Sequence, residues 1–206
     1  SLFISVTSYG IVIFANWMSS ARKTAELIAA DVNESIYNQV YLFMQAANKV
    51  NEQSQKIIAN GMLDLADEKQ RDRFFVGTLE AQRNEIFGFS YGTAAGEYYG
   101  ARSNENGDIE IMRNNVATGG NSWYYSVAED STAGELVVQA GKFDPRSRAW
   151  YKAAVEAGGP IYSPLYKHFV MDDLAVSAAW PVYNDAGTLE GGARNPYASF
   201  RYWFLP

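Results

Sequence analysis

Residues 143–151 read Phe143-Asp144-Pro145-Arg146-Ser147-Arg148-Ala149-Trp150-Tyr151, and they join two guanidinium groups and two neighbouring aromatics to the start signal of a helix. Asp144 is a good N-cap and Pro145 suits the first helical position, so the sequence predicts a short helix over about 145–156. Helical spacing then places Arg148 and Tyr151 on one face. An arginine fork at a helix N-terminus suits a carboxylate, and flanking rings can enclose an apolar body. A binding site is therefore expected here.

The composition is that of one globular domain with room for a helical appendage. Of the 206 residues, 48% are hydrophobic and 19% are charged, which is enough to build a core. Because the chain has no cysteine, a disulfide framework and a thiolate metal site are both excluded. The net charge of −6, without a stripe of Lys and Arg in the sequence, argues against a nucleic-acid partner.

The N-terminal sixty residues are expected to be helical. Residues 1–21 are apolar and carry no charge before Arg22-Lys23, so they fit either the end of a transmembrane helix or an ordinary apolar segment. In residues 22–61 apolar side chains recur every three or four positions, which predicts one long amphipathic helix. Such a helix exceeds what a compact domain needs, so we expect a signalling or dimerisation stalk, with a long core helix as the alternative. The repeating apolar positions are Ile28, Val32, Ile36, Val40, Phe43, Ala47, Val50 and Ile57.

Beyond residue 61 the pattern predicts an α+β fold. Residues 67–70 resemble a capping box and open a second helix that runs to about Asn84. Segments with the composition of strands follow at 86–91, 97–101, 109–112, 123–127, 135–139 and 174–183. Asn106-Gly107-Asp108 is a hairpin signal. The predicted architecture is a long N-terminal helix followed by a mainly antiparallel central sheet flanked by helices.

Four further motifs join residues 143–154 in a recognisable set. They are the hairpin at 96–108, the segment Tyr162-Ser163-Pro164-Leu165-Tyr166, the strand into Pro181-Val182-Tyr183 and the turn at 184–187. Together they resemble a Cache domain of the double-Cache type, the PAS-like extracytoplasmic sensor module of bacterial and archaeal chemoreceptors, sensor histidine kinases and diguanylate cyclases. The resemblance covers residues 25–191. It implies a helix that emerges from a membrane and a PAS-like sheet whose concave face and covering loops hold a small ligand.

The resemblance also implies which residues bind that ligand. Family members that bind amino acids carry an aromatic residue, Arg, Trp-Tyr, a later Tyr and an Asp. The matching positions here are Phe143, where that subgroup has Tyr, and Arg148, Trp150, Tyr151 and Tyr166. Arg148 and Trp150 are expected to hold a ligand carboxylate.

The last strand of the family pattern has a different character in this sequence. The Asp has no counterpart, because the expected strand starts Gly191-Gly192 and is broken by Pro196, which makes it poorly suited to a central position. We therefore expect residues 62–191 to form the PAS-like ligand-binding domain and residues 192–206 to be an atypical tail of natural or artificial origin.

The resulting hypothesis is a non-enzymatic sensor domain of a transmembrane receptor. It would lie on the periplasmic or extracellular side of the inner membrane, bind a small carboxylate such as an amino acid without a cofactor, and dimerise and signal through the long helix. One alternative is a structural or dimerisation module with a vestigial pocket. The other is a hydrolase using Asp172, Asp173 or Glu190, for which no nucleophile and base occur at a recognisable spacing. The only histidine, His168, is interpreted as a loop residue.

Overall fold

The computed structural model describes residues 2–83, 86–164, 166–167, 169, 174–183 and 189–196. The helices are α1 (Leu2–Ala59), α2 (Glu68–Ala81) and α3 (Ala149–Ala157), and a 3₁₀ turn covers Pro145–Ser147. The strands are β1 (Gly88–Thr93), β2 (Tyr98–Ser103), β3 (Ile109–Asn114), β4 (Asn121–Val127), β5 (Ala133–Lys142), β6 (Ile161–Tyr162), β7 (Tyr166–Lys167), β8 (Leu174–Ala175), β9 (Ser177–Tyr183) and β10 (Leu189–Pro196).

Eight of these strands form one antiparallel sheet in the order β5-β4-β3-β2-β1-β10-β9-β6, and β7 pairs with β8. The hairpin signal is confirmed, because Gly107 has φ +85° in the turn that joins β2 to β3. The Asn104 Oδ1 accepts hydrogen bonds from the backbone N–H groups of Asn106 and Asp108 and so shapes that turn. The predicted α+β fold class is confirmed.

The strand β10 corrects the interpretation of the last segment. It lies inside the sheet, where Gly192 is opposite Gly92 of β1 and Pro181 of β9. Pro196 is the final residue of the strand and pairs only on the β9 side, so its missing N–H removes no hydrogen bond from the strand interior. A glycine-rich segment is acceptable at this central position. The predicted turn at 184–187 lies outside the described residues.

The sheet carries an apolar cluster on each face. Adjacent residues of one strand fall in different clusters, as the alternation of a pleated strand requires: Tyr99 and Tyr98, and Ile111 and Met112. The first cluster is covered by α2 and the C-terminal part of α1, and the second by α3. The helical members are Ala47, Val50, Phe75, Val76 and Leu79 in the first, and Trp150, Tyr151 and Ala154 in the second.

The caps of α1 and α2 follow the sequence signals. Gly61, at φ +64°, ends α1 in a Schellman motif: its N–H donates to the carbonyl of Ile58, and that of Met62 donates to Ile57. The Asp67 carboxylate accepts from the backbone N–H groups of residues 69 and 70 at the start of α2. Both boundaries were predicted because they rest on short local motifs.

Residues 1–42 and 43–206 form two compact units, and α1 contributes to both. In the second unit, Ala47 and Val50 are buried. In the first unit the apolar side chains of Leu27, Ile28 and Val32 are 63%, 59% and 48% exposed. The apolar stripe is therefore open to solvent in its first part. Over the described residues, no helix combines the length and apolar character that a membrane crossing requires.

Candidate functional site

The segment that begins at Phe143 folds as a 3₁₀ turn followed by α3. The Asp144 carboxylate accepts from the Arg146 N–H at 3.0 Å, and the Ser147 hydroxyl donates to the Asp144 carbonyl at 2.7 Å. These short-range bonds close the turn at Ser147, so Arg148 is extended (φ −84°, ψ 148°) and occupies the N-cap position of α3. The expected continuous helix over 145–156 is wrong, and Arg148 and Tyr151 do not share a helical face.

The extended backbone places the Arg148 guanidinium against two aromatic rings that also contact each other. Its central carbon lies 4.4 Å from the centre of the Phe143 ring and 4.8 Å from that of Phe169. The two rings themselves are 5.1 Å apart, centre to centre. Cation–π contacts of this kind hold a planar guanidinium in one orientation and leave recognition to its N–H edge.

A cavity of about 160 Å³ lies beside this guanidinium. It brings together four of the five predicted site residues: Phe143, Arg148, Trp150 and Tyr166. The fifth, Tyr151, is not among its lining residues. The other described residues around the cavity are Ser147, Ala149, Lys167 and Phe169.

Trp150 and Tyr151 are core residues as well as candidates for the site. Trp150 is 1% exposed and packs against Tyr98 and Tyr151 at centroid distances of 6.4 and 5.6 Å. Tyr151 is 6% exposed, and burial raises the pKa of its phenol above the ordinary value of 10.0. The first turn of α3 thus anchors the helix on the sheet, while Trp150 also forms part of the cavity wall.

Tyr166 is tied to the sheet through Ser177 of β9. Their hydroxyl oxygens lie 2.6 Å apart, at hydrogen-bond distance, and Ser177 is fully buried. The backbone N–H of Ser177 donates to the Ser163 hydroxyl at 3.0 Å, and the N–H of Ser163 donates to the Ser177 carbonyl at 2.8 Å. The position of the Tyr166 phenol is therefore fixed by two serines that the sequence analysis did not single out.

A more open groove of about 450 Å³ lies on the other side of the same segment and shares Phe143, Ser147 and Arg148 with the cavity. Arg146 lines this groove and is bound to Asp144, with a distance of 2.8 Å between its Nη2 and the Asp144 Oδ2. Hydrogen bonds from the Arg146 side chain hold the pKa of the Asp144 carboxyl below its ordinary value of 3.8. Arg146 is therefore held at the groove wall by Asp144.

Some candidates from the sequence lie outside what the structure describes. His168, Asp172 and Asp173 are outside the described residues, and for Glu190 only the backbone is described. Among the described residues, no three His, Asp or Glu side chains come together as a metal site. Phe169, which lines the cavity, and Ser177, which is hydrogen-bonded to the cavity residue Tyr166, were missed. A lone aromatic in a loop and a serine within a strand carry no local signal of a ligand.

Comparisons with known proteins give structural neighbours only. No protein-family model and no curated protein matches the chain. Among solved structures, it is similar to the sensory domain of the Campylobacter jejuni chemoreceptor Tlp3 (CcmL) with isoleucine bound, at 13% identity and a TM-score of 0.49. That match covers 78% of this chain and 54% of the solved chain.

Two further neighbours come from Pseudomonas. The ligand-binding domain of the Pseudomonas fluorescens chemoreceptor CtaA, in complex with L-isoleucine, is 15% identical with a TM-score of 0.48, covering 78% of this chain and 51% of that one. The ligand-binding domain of the Pseudomonas aeruginosa PAO1 amino acid chemoreceptor PctC, in complex with GABA, is 20% identical with a TM-score of 0.44. That match covers 75% of this chain and 55% of the solved chain. The chain spans about half the length of the solved domains that it matches. All three are ligand-binding or sensory domains of chemoreceptors.

Proposed function

We propose that this protein is an extracytoplasmic sensor domain of a transmembrane signalling receptor and that it binds a small carboxylate, first of all an amino acid. The observation that carries the proposal is the Arg148 guanidinium, which lies against the rings of both Phe143 and Phe169 at the wall of an aromatic cavity. The motif resemblance assigns the same arginine to a ligand carboxylate. Binding without turnover is the role that we propose for this domain.

The size of the cavity limits the ligand. A cavity of about 150 Å³ in a protein interior can hold a molecule the size of benzene. The 160 Å³ cavity beside Arg148 therefore suits a ligand with a small apolar body and one charged end. The side chains of Trp150 and Tyr166 provide apolar walls for that body, which favours an amino acid or a short carboxylic acid over a larger metabolite.

The electrostatics favour a carboxylate at the charged end. A guanidinium presents parallel N–H groups that match the two oxygens of a carboxylate, and the pairing is strengthened when water is excluded. Contact with the rings of Phe143 and Phe169 orients the guanidinium before the ligand arrives, so less conformational entropy is lost on binding. Arg148 therefore provides both the charge and the geometry.

We further propose that α1 is the dimerisation and signalling element and that the full-length protein is anchored in a membrane. In residues 18–42, the exposed side chains of Leu27, Ile28 and Val32 form an apolar surface on a long helix. Helices with such a stripe commonly bury it against a second helix. A second copy of this chain has an identical apolar stripe, so a homodimer would bury the stripes of both copies.

Isothermal titration calorimetry with the twenty L-amino acids tests the proposed function. Each amino acid that binds the parent protein is then titrated into the Arg148→Ala variant. Loss of a buried charged partner typically costs about 2–5 kcal/mol, so binding to Arg148→Ala should become undetectable. Arg146→Ala is the matched control: this arginine is bound to Asp144 and does not line the 160 Å³ cavity, so affinity should stay close to that of the parent.

Two results would contradict the proposal. If Arg148→Ala binds a positive amino acid as tightly as the parent, the carboxylate assignment is wrong. If neither amino acids nor their des-amino analogues bind the intact protein, the domain is a structural or dimerisation module whose cavity has lost its ligand.

A further inference from the structure

Asn51 is a buried amide on the face of α1 that packs on the sheet. Its side chain is 0% exposed and lies in the same stripe as Ala47 and Val50. Its Nδ2 donates to the backbone carbonyl of Ala178 in β9 at 2.8 Å, and its Oδ1 has no partner among the described residues. A half-satisfied buried amide contributes less to stability than an apolar side chain of the same size. Single buried asparagines can fix the register of packed helices, and this bond joins α1 to β9 at one defined position.

The strand that Asn51 contacts also holds the cavity residue Tyr166. Ala178 directly follows Ser177, whose hydroxyl is 2.6 Å from that of Tyr166. Because successive residues of a strand face opposite sides, Ser177 faces the α3 side while Ala178 packs in the cluster on the α1 and α2 side. One peptide step therefore separates the hydrogen bond in the cavity from the hydrogen bond to α1.

The neighbouring strand β6 provides a second connection to the same part of α1. The Tyr162 hydroxyl donates to the backbone carbonyl of Met44 at 2.9 Å. The next residue, Ser163, exchanges hydrogen bonds with the backbone of Ser177. The α1 segment 44–51 is thus bonded at both ends to the pair of strands that positions Tyr166.

We propose that Asn51, Ala178 and Ser177 couple the cavity to α1, so that a ligand displacing Tyr166 shifts β9 and changes the packing of α1. This inference rests on the proposed function, because it gives the bound ligand a route to the signalling helix. Coupling between two sites is reciprocal, so a change at Tyr166 must alter the stability of α1 packing even without ligand.

Hydrogen exchange on the ligand-free full chain tests the coupling. Tyr166→Phe removes the hydroxyl that contacts Ser177, and we expect the backbone amides of α1 residues 47–54 to exchange about fivefold faster, the effect of one lost hydrogen bond on local opening. Ser177→Ala deletes the other partner and should give the same increase. In an Asn51→Leu background the bond to Ala178 is absent and only the Tyr162 bond to Met44 remains, so Tyr166→Phe should raise exchange in residues 47–54 by less than about twofold.

Tyr98→Phe is the matched control. Its hydroxyl also donates to a buried serine, Ser90 at 2.9 Å, and it lies in the same core cluster, but its partner is on β1 rather than β9. Exchange in α1 residues 47–54 should therefore be unaffected by Tyr98→Phe.

Three outcomes would overturn the coupling: equal effects of Tyr166→Phe and Tyr98→Phe on α1, no effect of Ser177→Ala, or a Tyr166→Phe effect on residues 47–54 that is undiminished in the Asn51→Leu background. Since no ligand is used, each of these would leave the proposed carboxylate binding untouched. Failure of every amino acid to bind would instead contradict the proposed function and leave the measured coupling in place.

Discussion

Gly92 of β1 lies directly against Trp150, and no larger residue fits between them. A Cβ at Gly92 would come within 3.0 Å of the Trp150 Cη2 and within 2.7 Å of the Cβ of Pro145. The absence of a side chain on β1 therefore allows the 3₁₀ turn and α3 to approach the sheet closely. Because Trp150 also lines the cavity, this contact helps to set the cavity's depth.

Gly92→Ala should destabilise the protein by about 1–3 kcal/mol, the usual effect of overpacking a core, and should weaken ligand binding by displacing Trp150. Gly77→Ala is the control, because a Cβ there meets nothing within 4 Å and the residue lies within α2. That variant should instead be more stable by about 0.4–1 kcal/mol. Urea unfolding measures both, and a Gly92→Ala protein as stable as the parent would disprove the close contact.

The buried ion pair of Arg102 and Glu110 should behave differently from a surface pair. The Arg102 Nη2 lies 2.7 Å from the Glu110 Oε2, and both side chains are less than 10% exposed. Glu110→Ala should lower the free energy of unfolding by about 3–5 kcal/mol because it leaves a buried guanidinium without its counter-ion. Arg102→Met combined with Glu110→Leu should cost less than Glu110→Ala alone.

An exposed ion pair in α1 provides the control for this comparison. Glu52 binds Lys56 at 2.8 Å with both side chains largely exposed. Glu52→Gln should change the free energy of unfolding by about 0–1 kcal/mol. If Glu110→Ala costs no more than Glu52→Gln, the buried pair is not maintained in solution.

Asp144 should contribute to acid sensitivity. Its pKa is lowered from the ordinary 3.8, first by the Arg146 side chain and also by the Arg146 N–H. A carboxyl with a depressed pKa stabilises the folded state above its unfolded pKa, and this contribution is lost as the pH falls through the folded pKa. Stability should therefore decrease below about pH 4, and Asp144→Asn should show a shallower decrease. Thermal unfolding between pH 2 and 6 measures the difference, and identical slopes would contradict the assignment.

The cavity should discriminate weakly between an L-amino acid and its des-amino analogue. None of the described lining residues is acidic, and the aspartate that amino-acid-binding members carry has no counterpart in the motif. The ligand ammonium group would then gain no charged partner, so the two affinities should agree within about tenfold. Calorimetry on each pair measures the ratio. Strong rejection of the des-amino acid would show that another acid, such as Asp172 or Asp173, faces the ligand.

Substitutions in the exposed stripe of α1 should control self-association. Ile28→Glu combined with Val32→Glu places two like charges where we propose that a second copy packs, so the protein should sediment as a monomer. Asn33→Glu adds a charge on the side of α1 away from Leu27, Ile28 and Val32 and should leave the association unchanged. A parent protein that sediments as a monomer at high concentration would exclude the dimer.

The sequence predicted the elements that depend on local signals. The caps at Asp67 and Gly61, the Gly107 turn and the strand segments each rest on a few adjacent residues, and each is present. The interruption of the helix at Arg148 was not predicted, because the local signals of this segment fit both an α-helix and a 3₁₀ turn. In the structure the Ser147 hydroxyl donates to the Asp144 carbonyl, and this bond favours the 3₁₀ turn.

The parts that were missed depend on contacts between distant segments. The strand β10 owes its central position to pairing with β1 and β9 rather than to its own composition. Phe169 belongs to the site because it stacks on Arg148, twenty-one positions earlier in the chain. Of the residues that line the cavity, the motif resemblance named Phe143, Arg148, Trp150 and Tyr166. It also named Tyr151, which packs in the core without lining the cavity.

The central position of β10 has a consequence for how the protein is made. Strands β1 to β5 pair in chain order, so they can form a meander while the nascent chain is still emerging from the ribosome. The free edge of β1 stays unpaired until the β10 segment has been synthesised and Arg194 can pair with Ser90. Pairing between segments so far apart in the chain is slow. During that interval the edge of β1 is open to pairing with other chains. Synthesis of the β10 segment is thus the step that joins β1 to β9 and removes the exposed edge of β1.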